Sequence, residues 1–236
     1  MSHPAQYSAA IIKALESLIG SLAWSAQPLV FDPFAGEGKR LGKLCDRLEI
    51  GFEGIDIEVW PGHDRRVRQG NAVDLSSYPT VPFVVVTSPT YPNGMSDHFQ
   101  PRDDSKRYTY RTSLGHPLDP DNSGRYSIRG GERSLDLYWA IVRSAVQCWV
   151  DCDAPAAVNV KDFIHEGTLY PLADRWARLM RSYGYQVGHR VQVGTPGMRN
   201  GRNREARSSY EEILVCRRPV KPPPARRVRR TPAARP

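Results

Sequence analysis

An apolar run from Val81 to Val86 passes directly into Thr87-Ser88-Pro89-Thr90-Tyr91. Its core, Phe83-Val84-Val85-Val86, is aromatic and β-branched without a polar alternation, the pattern of a parallel strand covered on both faces. The proline that follows lacks an amide donor and must end such a strand abruptly. A doubly covered parallel strand demands crossover helices on either side, and ligands of open α/β sheets lie at the carboxyl edge. At that edge a Ser hydroxyl, a Pro carbonyl and a Tyr ring offer two hydrogen-bond acceptors beside a flat apolar face. Such a set suits a planar group that carries an amine.

The preceding chain supplies the expected partners. Ile11, Ile12, Leu15, Leu18, Ile19 and Leu22 recur at spacings of three and four, which predicts an amphipathic helix over residues 7 to 22. Leu29-Val30-Phe31 then reads as a strand that breaks into Asp32-Pro33-Phe34-Ala35-Gly36-Glu37-Gly38, and helical spacing resumes from Lys39 to Leu48. Strand, glycine turn and helix are what a nucleotide-like cofactor needs: Gly36 and Gly38 admit close backbone approach, and the helix start offers unpaired amides. Two glycines alone also describe an ordinary βα turn. The next strand, Phe52 to Ile57, strengthens the ligand reading because it places Asp56 at its end, 24 residues beyond Asp32, near the spacing at which an acid binds ribose hydroxyls. A third turn at Gly70-Asn71-Ala72 precedes the central strand.

Beyond Tyr91, residues 92 to 133 show no convincing periodicity but mix Arg, Asp, Ser and Gly with Phe99, Tyr108, Tyr110 and Tyr126. A loop of that length at a presumed active edge predicts a substrate-binding lid or target-recognition insert, with passive disorder as the alternative. Ser134 reads as an N-cap, followed by a helix whose Trp139 and Trp149 are assigned to the core. A strand from Ala156 to Val160 and a helix from Thr168 to Tyr183 follow. Tyr185 to Val193 and Tyr210 to Cys216 predict an antiparallel hairpin. Its connecting loop, residues 194 to 209, carries Arg199, Arg202, Arg204 and Arg207 against Glu205, a composition that predicts a grip on a phosphate backbone, with a solvated loop as the alternative.

Charge is unevenly placed along the 236 residues. Residues 217 to 236 hold seven Arg and one Lys and no acid, so the remaining chain is balanced at 25 basic and 25 acidic residues, and the net +8 resides in the tail. With Pro222-Pro223-Pro224 inside it, residues 218 to 236 are expected to be disordered and to act as a sequence-independent phosphate tether or as a solubilising terminus. Cys45, Cys148, Cys152 and Cys216 show no CxxC pairing, so neither a disulfide framework nor a metal site is indicated. No apolar run reaches the roughly 18 residues of a spanning helix, and no signal-peptide order is seen, which predicts a soluble, cytoplasmic protein without membrane contact.

Together these motifs resemble S-adenosylmethionine-dependent DNA amino-methyltransferases, over residues 1 to about 217. Asp32 to Gly38 is similar to the first motif of that family, and Ser88-Pro89-Thr90-Tyr91 to its catalytic Asp/Asn/Ser-Pro-Pro-aromatic motif. His3-Pro4-Ala5-Gln6-Tyr7 resembles the segment lying against the methionine part of the cofactor. Asp56 falls where the ribose acid does and Asn71 where the adenine-contacting turn lies. Asn159 to Phe163 and Thr195 to Arg199 are similar to small phage-encoded stand-alone members. Two departures stand out: Thr90 replaces the second proline, and Asn71 stands where Asp is commoner.

The resemblance implies a Rossmann-like, seven-stranded, mostly parallel sheet with a C-terminal antiparallel hairpin and helices on both faces. It implies S-adenosyl-L-methionine as cofactor, held by Tyr7, Asp32, Pro33, Phe34, Ala35, Gly36, Gly38, Asp56, Asn71 and Ser88. Ser88, Pro89, Thr90 and Tyr91 would form the catalytic turn for a flipped adenine or cytosine in double-stranded DNA, with Arg199, Arg202, Arg204 and Arg207 on the DNA backbone. The absence of a Pro-Cys pair argues against methylation at a ring carbon. RNA or a protein amide as substrate, and a non-catalytic nucleic-acid-binding module of the same fold, are the alternatives.

Overall fold

The computed structural model describes residues 7–21, 29–92, 114–126, 128–194 and 208–218. Its strands are β1 (Leu29–Asp32), β2 (Gly51–Asp56), β3 (Val67–Gln69), β4 (Phe83–Thr87), β5 (Ala156–Val160), β6 (Phe163–His165), β7 (Thr168–Tyr170), β8 (Gln186–Gly194) and β9 (Tyr210–Arg217). Seven of them form one sheet in the order β3-β2-β1-β4-β5-β9-β8. The pairings among β1 to β5 are parallel, whereas β9 runs antiparallel to both β5 and β8. The expected Rossmann-like, mostly parallel architecture with a C-terminal antiparallel hairpin is therefore observed. Chain order reverses between β1 and β4, which opens a crevice at their carboxyl ends.

The strands alternate between two apolar layers. Val30, Val84 and Val86 point toward α1 (Ala9–Ser21) and α2 (Lys39–Arg47), where Ile11, Leu15, Leu41 and Leu44 are buried. Phe31, Phe83 and Val85 point the other way, toward α3 (Gly131–Asp151) and α4 (Leu172–Ser182). Trp139, Trp149 and Trp176 fill that second layer, Trp149 and Trp176 stacking at 6.3 Å between ring centroids. Trp139 and Trp149 are core residues, as expected. Period-two alternation places each neighbour on opposite faces, which is why an unbroken valine run is needed in β4.

Several boundaries differ from the sequence reading. The helix expected from Thr168 begins only at Leu172, because Pro171 disfavours helix in the residue before it. Thr168–Tyr170 is instead strand β7, paired antiparallel with β6 in a separate hairpin after β5. Asp162 accepts a hydrogen bond from the Ala173 amide at 2.9 Å and serves as the distant cap of α4. Helix α3 starts at Gly131, φ +80°, so Ser134 lies inside it and not at its cap. Strand β3 has no counterpart in the sequence reading; three residues with one buried side chain carry no legible period. Residues 195–207, with the four hairpin-loop arginines, and residues 93–113 and 219–236 lie outside the described residues. Among the described residues no helix is long and apolar enough to cross a membrane.

Helix α2 starts from Gly38, whose φ of +64° lies in the left-handed region. A Cβ there would stand 2.4 Å from Val67 Cγ2 and 3.3 Å from the Phe52 ring. Gly38 thus lets the turn after β1 press against β2 and β3. Gly38→Ala is expected to destabilise the protein by about 1–3 kcal/mol through strain and overpacking together, read as a lower urea midpoint with an unchanged m-value.

Candidate active site

Strand β1 ends in Asp32, and its carboxylate fastens the crevice. Oδ1 accepts from Thr87 Oγ1 at 2.6 Å, joining the ends of β1 and β4, and from the Phe34 amide at 3.0 Å. Oδ2 faces the Tyr7 hydroxyl at 3.4 Å, a long contact. Arg40 of α2 bonds the Tyr7 carbonyl and holds the lead of α1 at the site. From Pro33 to Gly38 the chain turns over the end of β2. The Gly36 amide donates to Asp56 Oδ2 at 2.8 Å, while Asp56 Oδ1 accepts from the Glu58 amide at 2.9 Å and Trp60 Nε1 at 3.1 Å. Asp56 is thus rigidly held, with three of its roughly four lone-pair sites in use.

A cavity of about 300 Å³ opens along this edge. Tyr7, Asp32, Pro33, Phe34, Ala35, Gly38, Asp56 and Asn71 all line it, as do Ser88, Pro89, Thr90 and Tyr91. Two stretches far apart in sequence therefore meet around one space. Gly36 is the exception, buried behind the wall and acting through its amide. Asn71 Oδ1 accepts from the Val73 amide at 3.2 Å, closing an Asx-turn and leaving Nδ2 as the group it can offer a ligand.

The turn after β4 has partners the sequence did not announce. The Thr90 carbonyl accepts from the Tyr138 hydroxyl of α3 at 2.9 Å, and Thr90 Oγ1 meets Ser123 Oγ at 2.5 Å. Asn159, 2% exposed on β5, donates from Nδ2 to Ser88 Oγ at 3.4 Å and to Glu211 Oε2 of β9 at 2.8 Å. Asn159, Glu211, Ser123 and Trp60 line the cavity and were not among the expected site residues. One signal was available: Asn159 is the only polar residue in the otherwise apolar, fully buried β5. Glu211 carried none, since a carboxylate near a strand start is ordinary surface chemistry.

No protein-family model matches the sequence, and no curated protein matches it. Similar solved structures exist. One is a provisionally named DNA modification methylase from Thermus thermophilus, at 18% identity and a TM-score of 0.38, covering 65% of this chain and 54% of the other. This chain thus spans about half of that protein's length. Another is precorrin-6y C5,15-methyltransferase from Geobacter metallireducens, at 10% identity and a TM-score of 0.49, covering 93% and 94%. A third is magnesium protoporphyrin IX methyltransferase from Synechocystis with bound S-adenosylhomocysteine, at 10% identity and a TM-score of 0.43, covering 92% and 90%. At these levels of similarity, the chain's own residues must decide what the site can do.

Electrostatically the crevice is under tension. Burial pushes the Asp32 carboxyl up to about 7, against the lowering effect of the Thr87 and Phe34 hydrogen bonds. Burial likewise pushes Asp56 to about 6, although its bonds from Glu58 and Gly36 oppose the shift. The Tyr7 phenol is raised by burial first and by the Asp32 charge second. Two carboxylates that resist ionisation beside a cavity make a site that favours a positively charged ligand or a proton. All four cysteines are unpaired thiols; Cys45, Cys148 and Cys216 are buried and Cys152 is half-buried.

The raised folded-state pKa fixes the sign of a pH effect. Asp32 contributes full stability below its unfolded value near 4, and that contribution is lost as pH rises through about 7. Asp32→Asn keeps an oxygen for Thr87 and Phe34, both of which bond Oδ1. The ligand-free variant is therefore expected to match the parent below pH 4 and to exceed it increasingly above that, reaching on the order of 2–4 kcal/mol by pH 8, measured by denaturant unfolding at pH 3.5 and pH 8.

Proposed function

We propose that this protein is an S-adenosylmethionine-dependent methyltransferase acting on the exocyclic amino group of adenine or cytosine in double-stranded DNA. The observation that carries this reading is the convergence of the Asp32–Gly38 turn, Asp56 and Asn71 with Ser88-Pro89-Thr90-Tyr91 on one cavity at the carboxyl edge.

The residues present fit the cofactor. Asp32 and Asp56, both reluctant to ionise alone, suit a ligand with an ammonium or sulfonium charge and a ribose diol. Asp56 keeps an acceptor site for a ribose hydroxyl, and Asn71 Nδ2 can donate to an adenine ring nitrogen. Tyr7 and Phe34 supply apolar walls beside Asp32. When bound, S-adenosylmethionine would supply an electrophilic methyl group.

The chain's own residues would do the rest. An exocyclic amine is a weak nucleophile because its lone pair is delocalised into the ring. Ser88 Oγ and the Pro89 carbonyl can accept its two hydrogens, favouring a pyramidal nitrogen whose lone pair faces the methyl group. Tyr91, half-buried at the cavity wall, would stack on a base extruded from the duplex. Alignment of the reacting atoms supplies most of the acceleration, and no covalent enzyme intermediate is needed. The arginines of residues 194 to 209, the insert of residues 92 to 133 and the basic tail would contact DNA, the insert as a substrate-binding lid or target-recognition element and the tail as a phosphate tether.

The test is direct. Tyr91→Ala and Pro89→Ala are expected to lower methyl transfer to DNA at least about a hundredfold while leaving cofactor binding within a few-fold, measured with a radiolabelled methyl donor and by calorimetry. Parent-like activity in both variants refutes the role of this turn. Removing residues 219 to 236 should weaken DNA binding at every sequence and flatten its dependence on salt, read from Kd values at several ionic strengths.

A further inference from the structure

Thr90 occupies a turn position whose backbone has only one ring-locked neighbour, Pro89, and proline alone fixes φ covalently. Yet Thr90 is held at two separate atoms by two separate elements. Its carbonyl accepts from Tyr138 OH, a fully buried residue on α3, at 2.9 Å. Its Oγ1 bonds Ser123 Oγ, 33 residues away, at 2.5 Å. Ser123 is 4% exposed and so has little freedom of its own.

What fixes Ser123 is a buried carboxylate. Glu58, 6% exposed, accepts from the Asp119 amide at 2.7 Å and from Asn122 Nδ2 at 3.0 Å through the same oxygen. Asn122 Oδ1 in turn accepts from the Gly124 amide at 2.8 Å and caps the short turn that begins at Ser123. Leu118 packs beside Trp60, both 2% exposed, and anchors the start of this turn. The Glu58 amide and Trp60 Nε1 both donate to Asp56 Oδ1. A continuous path of hydrogen bonds and short chain segments therefore runs from Asp56, through Glu58, Asn122 and Ser123, to Thr90.

We propose that Thr90 and Ser123 are a positioning pair: their hydroxyl–hydroxyl bond, with Tyr138 on the carbonyl, holds the Ser88–Tyr91 turn in its working shape. The constraint at position 90 is tertiary and not covalent, and it is supplied by residues 119–125. The inference rests on the methyltransferase reading only for its kinetic consequence; the structural consequence stands alone. Because the constraint comes from the insert, the shape of the turn depends on that insert being docked on Glu58.

The pair is tested in the full chain with Thr90→Val, which keeps the shape of the side chain, with Ser123→Ala, and with both. Hydrogen exchange at the Thr90 and Tyr91 amides is expected to accelerate about tenfold in each single variant and no further in the double variant, because both changes delete the same bond. In the radiolabelled-methyl assay kcat should fall on the order of tenfold to a hundredfold with the cofactor Kd unchanged. Adding Thr90→Pro to Ser123→Ala should restore slow exchange at Tyr91. Unchanged exchange in the single variants, or losses that multiply in the double variant, overturns the pairing. A parent protein that transfers no methyl group to DNA refutes the proposed function instead, and leaves the exchange result to decide the pair.

Discussion

The hydrogen bond from Thr87 to Asp32 is the point on which the crevice depends. Parallel strands joined only by backbone bonds can splay at their ends, where the ladder stops. Here a buried side-chain bond of 2.6 Å clamps the last residues of β1 and β4 across the place where chain order reverses. The clamp also sets the heading of both departing segments. Pro33 to Gly38 folds one way over β2, and Ser88 to Tyr91 folds the other way under α3, so the two turns face each other across the cavity. Thr87 is fully buried and Asp32 nearly so, hence the bond operates at low effective dielectric, where losing either partner is expensive.

Much of this was legible in advance because the signals are local. The valine run of β4, the glycine turn after β1 and the acid ending β2 each follow from a period or a single residue type. The central sheet, its antiparallel end and the meeting of the two turns were anticipated on that basis. What escaped the sequence reading is non-local. Ser123 reaching Thr90, Glu58 gathering Asp119 and Asn122, and Glu211 reaching Asn159 are contacts over 33 to 64 positions between polar residues. A single polar residue, in a loop or on a strand, has no period to betray its partner. The hairpin of β6 and β7 failed to register for a related reason, since three-residue strands are shorter than the window in which alternation can be counted.

Glu58 illustrates how the insert and the cofactor side of the site share one support. A buried carboxylate costs several kcal/mol in desolvation unless donors surround it, and here the donors come from residues 119 and 122 of the insert. Docking of that segment is therefore favoured by a need that arises just after β2 and not by apolar contact alone. Leu118 against Trp60 adds a small hydrophobic anchor to the same joint. The wall bearing Ser123 and the wall bearing Asp56 are thus tied together through Glu58.

The neutral residue at position 88 fits this electrostatic setting. Asp32 and Asp56 already share the crevice, each pushed upward by burial, and Asp56 adds to the upward shift of Asp32. A further carboxylate at the tip of β4, one residue from the Thr87 that bonds Asp32, would deepen that repulsion whenever the cavity held no cation. A serine hydroxyl offers an acceptor of similar reach without charge, and it can also receive the Asn159 amide at 3.4 Å. Asn159 in turn separates Ser88 from the Glu211 carboxylate by bonding both. Glu211 keeps a carboxylate on the Ser88 side of the cavity as well, engaged by Asn159. Ser88 itself presents a neutral acceptor, which suits an uncharged planar amine, while Asp32 and Asp56 suit a cationic ligand.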